Sequence, residues 1–185
     1  EAALRSGAGL VRVLTHPENV APIVTVRPEL MVDELTPQTL KAALEWADVV
    51  AIGPGLGQRE WGRSALRTVE SFNKPMVWDA DALNLLAFNP DKRHNRVLTP
   101  HPGEAARLLN VSVAEIESDR LLYAQRLVKR YGGVVVLKGA GTVVASESGA
   151  MGIIDAGNAG MASGGMGDVL TGIIAALLGQ HLTPY

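Results

Sequence analysis

Asp48-Val-Val-Ala-Ile-Gly-Pro-Gly-Leu-Gly57 decides the fold class. Val49 to Ile52 form a short, unbroken apolar run rich in β-branched residues, as expected of a strand buried on both faces in a parallel sheet. A glycine-rich turn follows at once, and residues 61–72 then carry a helical pattern. The same succession repeats downstream. Pro75-Met-Val-Trp78 reads as a strand, Asp79-Ala-Asp81 as its exit, and the residues through Phe88 as a helix. Arg96-Val-Leu98 is the next strand. It ends in Thr99-Pro-His-Pro-Gly-Glu104, from which a helix runs over 104–109. Residues 113–131 read as two helical pieces. Gly133-Val-Val-Val-Leu137 is a strongly buried strand, turned by Lys138-Gly-Ala-Gly141 into Thr142-Val-Val-Ala145, and Met151-Gly-Ile-Ile154 is one more strand. Alternating strands and helices of this kind predict a three-layer α/β/α fold with a mostly parallel sheet, in one domain over residues 1–185.

Upstream, residues 1–6 read as the tail of a helix closed by Gly7, and Leu10-Val-Arg-Val-Leu14 as a strand. Residues 17–26 are ambiguous and lean towards a short helix, and Leu30-Met-Val32 reads as a short strand. Thr36-Pro37 starts a helix, with Thr as cap and Pro at the first helical position. At the other end, Asn158-Ala-Gly-Met-Ala-Ser-Gly-Gly-Met-Gly-Asp168-Val-Leu-Thr-Gly172 runs a glycine loop into an apolar helix. In that helix Val169, Leu170, Ile173, Ile174, Leu177 and Leu178 are expected on one face. The small Gly172, Ala175 and Ala176 are expected elsewhere, and Gly179 is expected to terminate the helix. A chain starting at Glu1 and stopping at Tyr185 reads as a piece of a longer protein, cut at both ends.

The 185 residues suffice for a real core. An apolar fraction of 47% with 19% charged residues suits a globular protein. The net charge of −2 offers no basic footprint for nucleic acid or an acidic membrane. No apolar run reaches the roughly 20 residues that span a bilayer. Absence of cysteine excludes disulfides, thiolate metal sites and cysteine nucleophiles. With no secretory signal the cytoplasm is the default expectation.

In an open parallel sheet, ligands bind at the carboxyl ends of the strands. Four distinctive segments fall there: residues 53–57, 79–81, 99–104 and 138–142. Gly53-Pro-Gly55-Leu-Gly57 has GxGxG rather than GxGxxG spacing, so it is no dinucleotide fingerprint; a tight loop or a ligand contact both suit it. Asp79 and Asp81 suit water-mediated magnesium binding, although a helix cap is the favoured role for Asp81. Two prolines and a glycine fix the chain around His101, which is either aimed at a site or structural. Glu104 either steers a metal or favours the helix N-terminus. Lys138-Gly-Ala-Gly-Thr142 forms either a phosphate nest with a point charge or a plain hairpin. Gly164, Gly165 and Gly167 permit close approach of a ligand to the helix N-terminus, whose free N–H groups attract anions. Asp168 at that join either caps the helix or takes a proton from a hydroxyl attacking phosphorus.

Six stretches, in order, resemble the ADP-dependent NAD(P)H-hydrate dehydratases of the ribokinase-like superfamily, their enterobacterial members in particular. They are Ser6-Gly-Ala-Gly-Leu10, Gly53-Pro-Gly-Leu-Gly57, Asp79-Ala-Asp-Ala-Leu-Asn84, Thr99-Pro-His-Pro-Gly-Glu104, Lys138-Gly-Ala-Gly-Thr142 and Gly164-Gly-Met-Gly-Asp168. The resemblance implies a lyase that restores hydrated NADH or NADPH, using ADP as co-substrate and releasing AMP and phosphate, by phosphorylating the hydroxyl and then expelling phosphate. It implies Asp168 as the catalytic base that also touches substrate, with Gly53, Gly55 and His101 as further substrate contacts. Lys138, Gly139, Ala140, Gly141, Thr142 and Gly167 would bind nucleotide, and the N–H groups of Gly165, Met166 and Gly167 would form the anion hole. Mg²⁺ is implied as cofactor without assigned ligands, since His101 stands where superfamily kinases have Asn in an Asn-x-x-Glu motif. A homotetramer and an epimerase domain fused upstream are implied as well. A vitamin-precursor kinase of the same superfamily and a non-catalytic nucleotide-binding module are the alternatives.

Overall fold

A computed structural model describes residues 1–185. The chain opens with α1 (Ala2–Arg5), β1 (Arg12–Thr15), α2 (Pro17–Val26), β2 (Met31–Glu34) and α3 (Pro37–Trp46). The ambiguous stretch is thus helical, with Pro22 inside it. Thr36 caps α3 as its sequence predicts: its Oγ1 accepts the Thr39 N–H at 3.1 Å, and Thr39 Oγ1 returns the favour to the Thr36 N–H at 2.9 Å. β1 and β2 pair in parallel with each other but not with the main sheet.

The main sheet has six strands in sequence order: β3 (Val50–Ile52), β4 (Met76–Trp78), β5 (Arg96–Leu98), β6 (Val134–Leu137), β7 (Thr142–Ser146) and β8 (Met151–Ile154). β3 to β6 are parallel, whereas β7 and β8 return antiparallel. Between the parallel strands run α4 (Glu60–Glu70), α5 (Ala80–Phe88), α6 (Pro102–Leu109), α7 (Val113–Ser118) and α8 (Arg120–Tyr131), and the last helix is α9 (Met166–Gly179). α6 begins two residues before its expected start because His101 is its cap and Pro102 occupies the first helical position.

The two faces of the sheet are unequal. Trp78, Leu98, Val135 and Leu137 join Leu83, Leu86, Leu108, Leu127 and Tyr131 in a core of 27 buried residues under α3 to α8. The opposite face carries a smaller cluster, Val97, Val134 and Val136, packed against Leu170, Ile174 and Leu178 of α9. That row is one i, i+4, i+8 stripe, so the expected wide apolar face of α9 is narrower: Val169 and Leu177 stay exposed. The small residues are not idle. A carbon added to Gly172 would sit 3.0 Å from Ala2 Cβ, so α1 packs directly on that side, and Ala176 is buried. Gly179 does not terminate α9 by a left-handed turn; it is the last helical residue, and the left-handed position falls at His181 (φ 63°).

Candidate active site

The carboxyl ends of β4, β5 and β6 bring Asp79, His101, Glu104 and Lys138 together beneath the first turn of α9. Asp79 is 2% exposed. Its Oδ1 accepts Lys138 Nζ at 2.8 Å and its Oδ2 accepts Thr171 Oγ1 of α9 at 2.9 Å. Burial alone would raise the Asp79 pKa, but the Lys138 bond and charge, with the Thr171 and Thr99 hydroxyls, outweigh it and hold the carboxyl below its ordinary range. Glu104 shows the opposite balance. Burial pushes it above the usual carboxylate value, although the His101 N–H donates to Oε2 at 2.8 Å and Lys138 Nζ stands 4.0 Å away.

His101 has a structural duty as the cap of α6. The Gly103 N–H donates to Nδ1 at 3.0 Å, so in the neutral ring the proton sits on Nε2, 3.5 Å from Glu104 Oε1. Half of the imidazole faces solvent. With Nδ1 occupied, the ring offers outward a donor and an aromatic face rather than a lone pair.

The start of α9 has free donors. Gly165, in the left-handed region at φ 86°, is the cap residue, which makes Asp168 the third helical position rather than the cap. The N–H groups of Gly165, Gly167 and Asp168 bond no main-chain acceptor, whereas Met166 N–H makes a long 3.4 Å contact to Ser163 O. The unpaired donors of this turn are therefore Gly165, Gly167 and Asp168 rather than Met166. The Asp168 side chain makes no capping bond and is exposed.

The turn over residues 138–142 is closed from within. Thr142 Oγ1 donates to Gly139 O at 3.0 Å and takes the Gly139 N–H at 3.3 Å, leaving the N–H groups of Ala140 and Gly141 unpaired on the rim. The Lys138 N–H donates to Pro100 O at 2.8 Å, tying this turn to the His101 loop. Arg120, at the start of α8, braces it from outside by donating to Leu137 O at 2.9 Å and Lys138 O at 3.1 Å. A side-chain carbon on Gly139 would meet that guanidinium at 2.8 Å. A cleft of about 570 Å³ between α5 and α6 shares no residue with this cluster.

The family model described as NAD(P)H-hydrate dehydratase (Carb_kinase) matches residues 1–185. The chain belongs to this family. Among dehydratase relatives, the bifunctional NAD(P)H-hydrate repair enzyme Nnr of Escherichia coli K12 is 78% identical over all of this chain and 36% of its own length. The ADP-dependent (S)-NAD(P)H-hydrate dehydratase of Neisseria meningitidis is 42% identical over 83% of this chain and 53% of its own. The crystal structure of the ADP/ATP-dependent NAD(P)H-hydrate dehydratase of Bacillus subtilis, co-crystallised with ATP/Mg²⁺, superposes with a TM-score of 0.82 at 35% identity, over 99% of this chain and 66% of that one. The chain thus spans about a third of the E. coli protein, and its fold is the ribokinase-like three-layer one.

Against this family's expected site, one sequence expectation needs correction and three residues are added. Asp81 does not cap α5. Asp79 holds the cap position, and Asp81 Oδ2 accepts the Gly57 N–H at 2.9 Å while Oδ1 takes Gln58 Nε2 at 2.9 Å, so it ties down the glycine turn. Gly53 has a structural duty besides any substrate contact: at φ 127°, a side-chain carbon there would lie 1.8 Å from Asp79 O. Gly55 at φ 66° stands in open space. Asp79, Thr171 and Arg120 were absent from the expected dehydratase site. Asp79 was legible as a strand-end acid, but Thr171 and Arg120 carry no local signal, because their partners lie 92 and 17–18 residues away.

Proposed function

We propose that this domain removes water from hydrated NADH or NADPH at the expense of ADP, yielding AMP and phosphate. The observation that carries the proposal is the first turn of α9: an exposed Asp168 carboxylate beside unpaired N–H donors and above the Lys138–Asp79 pair. A carboxylate over an anion cradle is repelled by the anion it borders unless it has a proton to take. Here Asp168 takes the proton of the substrate hydroxyl as its oxygen attacks the terminal phosphorus of ADP. The N–H groups of Gly165, Gly167 and Asp168 receive the transferring phosphoryl, and the Ala140 and Gly141 N–H groups with Thr142 receive the rest of the nucleotide. Phosphate then leaves with the C–O bond electrons, and loss of a proton from the neighbouring ring carbon restores the double bond. His101, through its Nε2–H and ring face, orients the nicotinamide end, with Gly53 and Gly55 leaving room for it.

The donor set also fits Mg²⁺ in one way. Both oxygens of Asp79 and of Asp81 already accept a hydrogen bond. Glu104 Oε1, whose nearest donor is His101 Nε2 at 3.5 Å, is the least engaged acid oxygen and the one available to the ion's water shell. Mg²⁺ carried on the nucleotide phosphates would supply neutralisation of their charge.

The names of the relatives support both the substrate and the use of ADP, and the bifunctional E. coli relative supports a second activity beyond this domain. In the full-length protein, incubation with hydrated NADH and ADP should return NADH absorbance. Asp168→Asn should keep nucleotide binding and lower turnover at least about a hundredfold. A stable phosphorylated product without NADH recovery would make the protein a kinase instead. Undiminished turnover in Asp168→Asn would remove that residue from the chemistry.

A further inference from the structure

By sequence, Lys138 is a nucleotide contact on an open turn. In the structure its side chain is only 20% exposed and points inward. Its Nζ lies 2.8 Å from Asp79 Oδ1, 4.0 Å from Glu104 Oε2, and 3.2 Å from where a side-chain carbon on Gly167 would sit. The ammonium is therefore underneath the cradle residue Gly167, not alongside the rim of the turn. Asp79 bonds at once to this cation from the end of β6 and to the hydroxyl of Thr171, which follows Asp168 by three residues on α9. Taking both charges out of water is costly unless hydrogen bonds compensate them, and here each Asp79 oxygen accepts one. A cation held this way needs no reorganisation when negative charge moves past it.

We propose that Asp79 is a positioning residue that holds the Lys138 ammonium beneath the first turn of α9, so that Lys138 acts on the transferring phosphoryl rather than on nucleotide affinity. Thr171 pins the second oxygen of Asp79 and thereby sets the depth of α9 against β4 and β6. This assignment rests on the reading that the α9 turn receives the phosphoryl.

The test is a double-variant cycle in the full-length protein: wild type, Asp79→Asn, Lys138→Ala and both together. Each is assayed for kcat and for the KM of ADP with hydrated NADH, and for ADP binding by calorimetry. Asp79→Asn should lower kcat by at least about tenfold, towards the roughly hundredfold that a 1 Å misplacement costs, while the KM for ADP moves by no more than about threefold. Because Asp79 acts through Lys138, the double variant should lie within about twofold of Lys138→Ala. Effects that multiply, an unchanged kcat, or a change confined to KM would overturn the assignment. Thr171→Val keeps the ion pair and guards against misfolding of Asp79→Asn, checked by circular dichroism. It should lower kcat while leaving ADP binding intact, and if Asp79→Asn does not fold, an unchanged kcat in Thr171→Val overturns the assignment. Wild type that returns no NADH overturns the dehydratase reading together with the role of Lys138; active wild type with multiplying effects overturns the role of Asp79 alone.

Discussion

Two buried carboxylates about one lysine behave differently, and the difference is a matter of donors. Asp79 has a donor on each oxygen and a cation at 2.8 Å. Glu104 has one main-chain donor, its lysine is 4.0 Å away, and burial prevails. The consequence for stability follows from linkage. A carboxyl whose folded pKa is raised binds more protons folded than unfolded, so its contribution to stability falls as pH rises from the ordinary 4.5 through the raised value. Glu104→Gln, which keeps an acceptor for the His101 N–H, should therefore lack this decline. Its melting temperature at pH 7 should equal or exceed that of wild type while activity drops; a clearly lower melting temperature would mean that the charged form of Glu104 stabilises the fold. Asp79 has the opposite sign, its stabilisation being present at neutral pH and lost as pH falls below its ordinary 3.8. Residue types alone marked Asp79, Asp81, His101, Glu104, Lys138 and Asp168 as candidates. Their ranking was not legible, because which acid meets which donor depends on residues 3 to 92 positions away.

At the scale of elements, the turns leaving the strands carry the site, and their glycines do two kinds of work. Gly53 lets the exit of β3 touch the main chain at the exit of β4, whereas Gly55 faces open space. Gly55→Ala should cost about 1–2 kcal/mol for its left-handed backbone alone. Gly53→Ala should cost distinctly more, because Asp79 O must move and Asp79 with it. At about 2–4 °C of Tm per kcal/mol for a chain of this size, thermal melts resolve the two. Equal shifts would mean that the close approach at Gly53 is relieved without moving Asp79. Element order was legible, with many boundaries off by about two residues, since the period of the apolar pattern is a local property that fades at element ends. The start of α6 was missed by two residues, because Pro102 reads as a loop breaker unless the His101 cap before it is known.

For the whole molecule, the sheet divides the core into a large and a small half. Leu127, fully buried in the large half, should cost about 3–5 kcal/mol when cut to Ala. Ile174, half-buried on α9 over the small half, should cost no more than about 2 kcal/mol. Urea unfolding of the two variants checks the order, and a reversed order would place the stabilising weight under α9. The light packing there suits the proposed role of the first turn of α9 in meeting ligand, since elements that meet ligands draw on the less stable part of a fold.

Local chemistry along the chain was enough to specify the order of strands and helices, the parallel sheet, the gathering of glycine turns at its carboxyl edge, and the kinship of six short motifs. These depend on near neighbours: apolar period, caps, and glycines where φ is positive. Folding in three dimensions decided the rest. It turned Lys138 inward onto Asp79, gave Asp81 to the Gly57 turn, freed Asp168 from capping, and set Thr171 and Arg120 against partners far along the chain. All but the freeing of Asp168 are hydrogen bonds between distant segments, whose geometry exists only once the strands lie side by side and α9 closes over their ends.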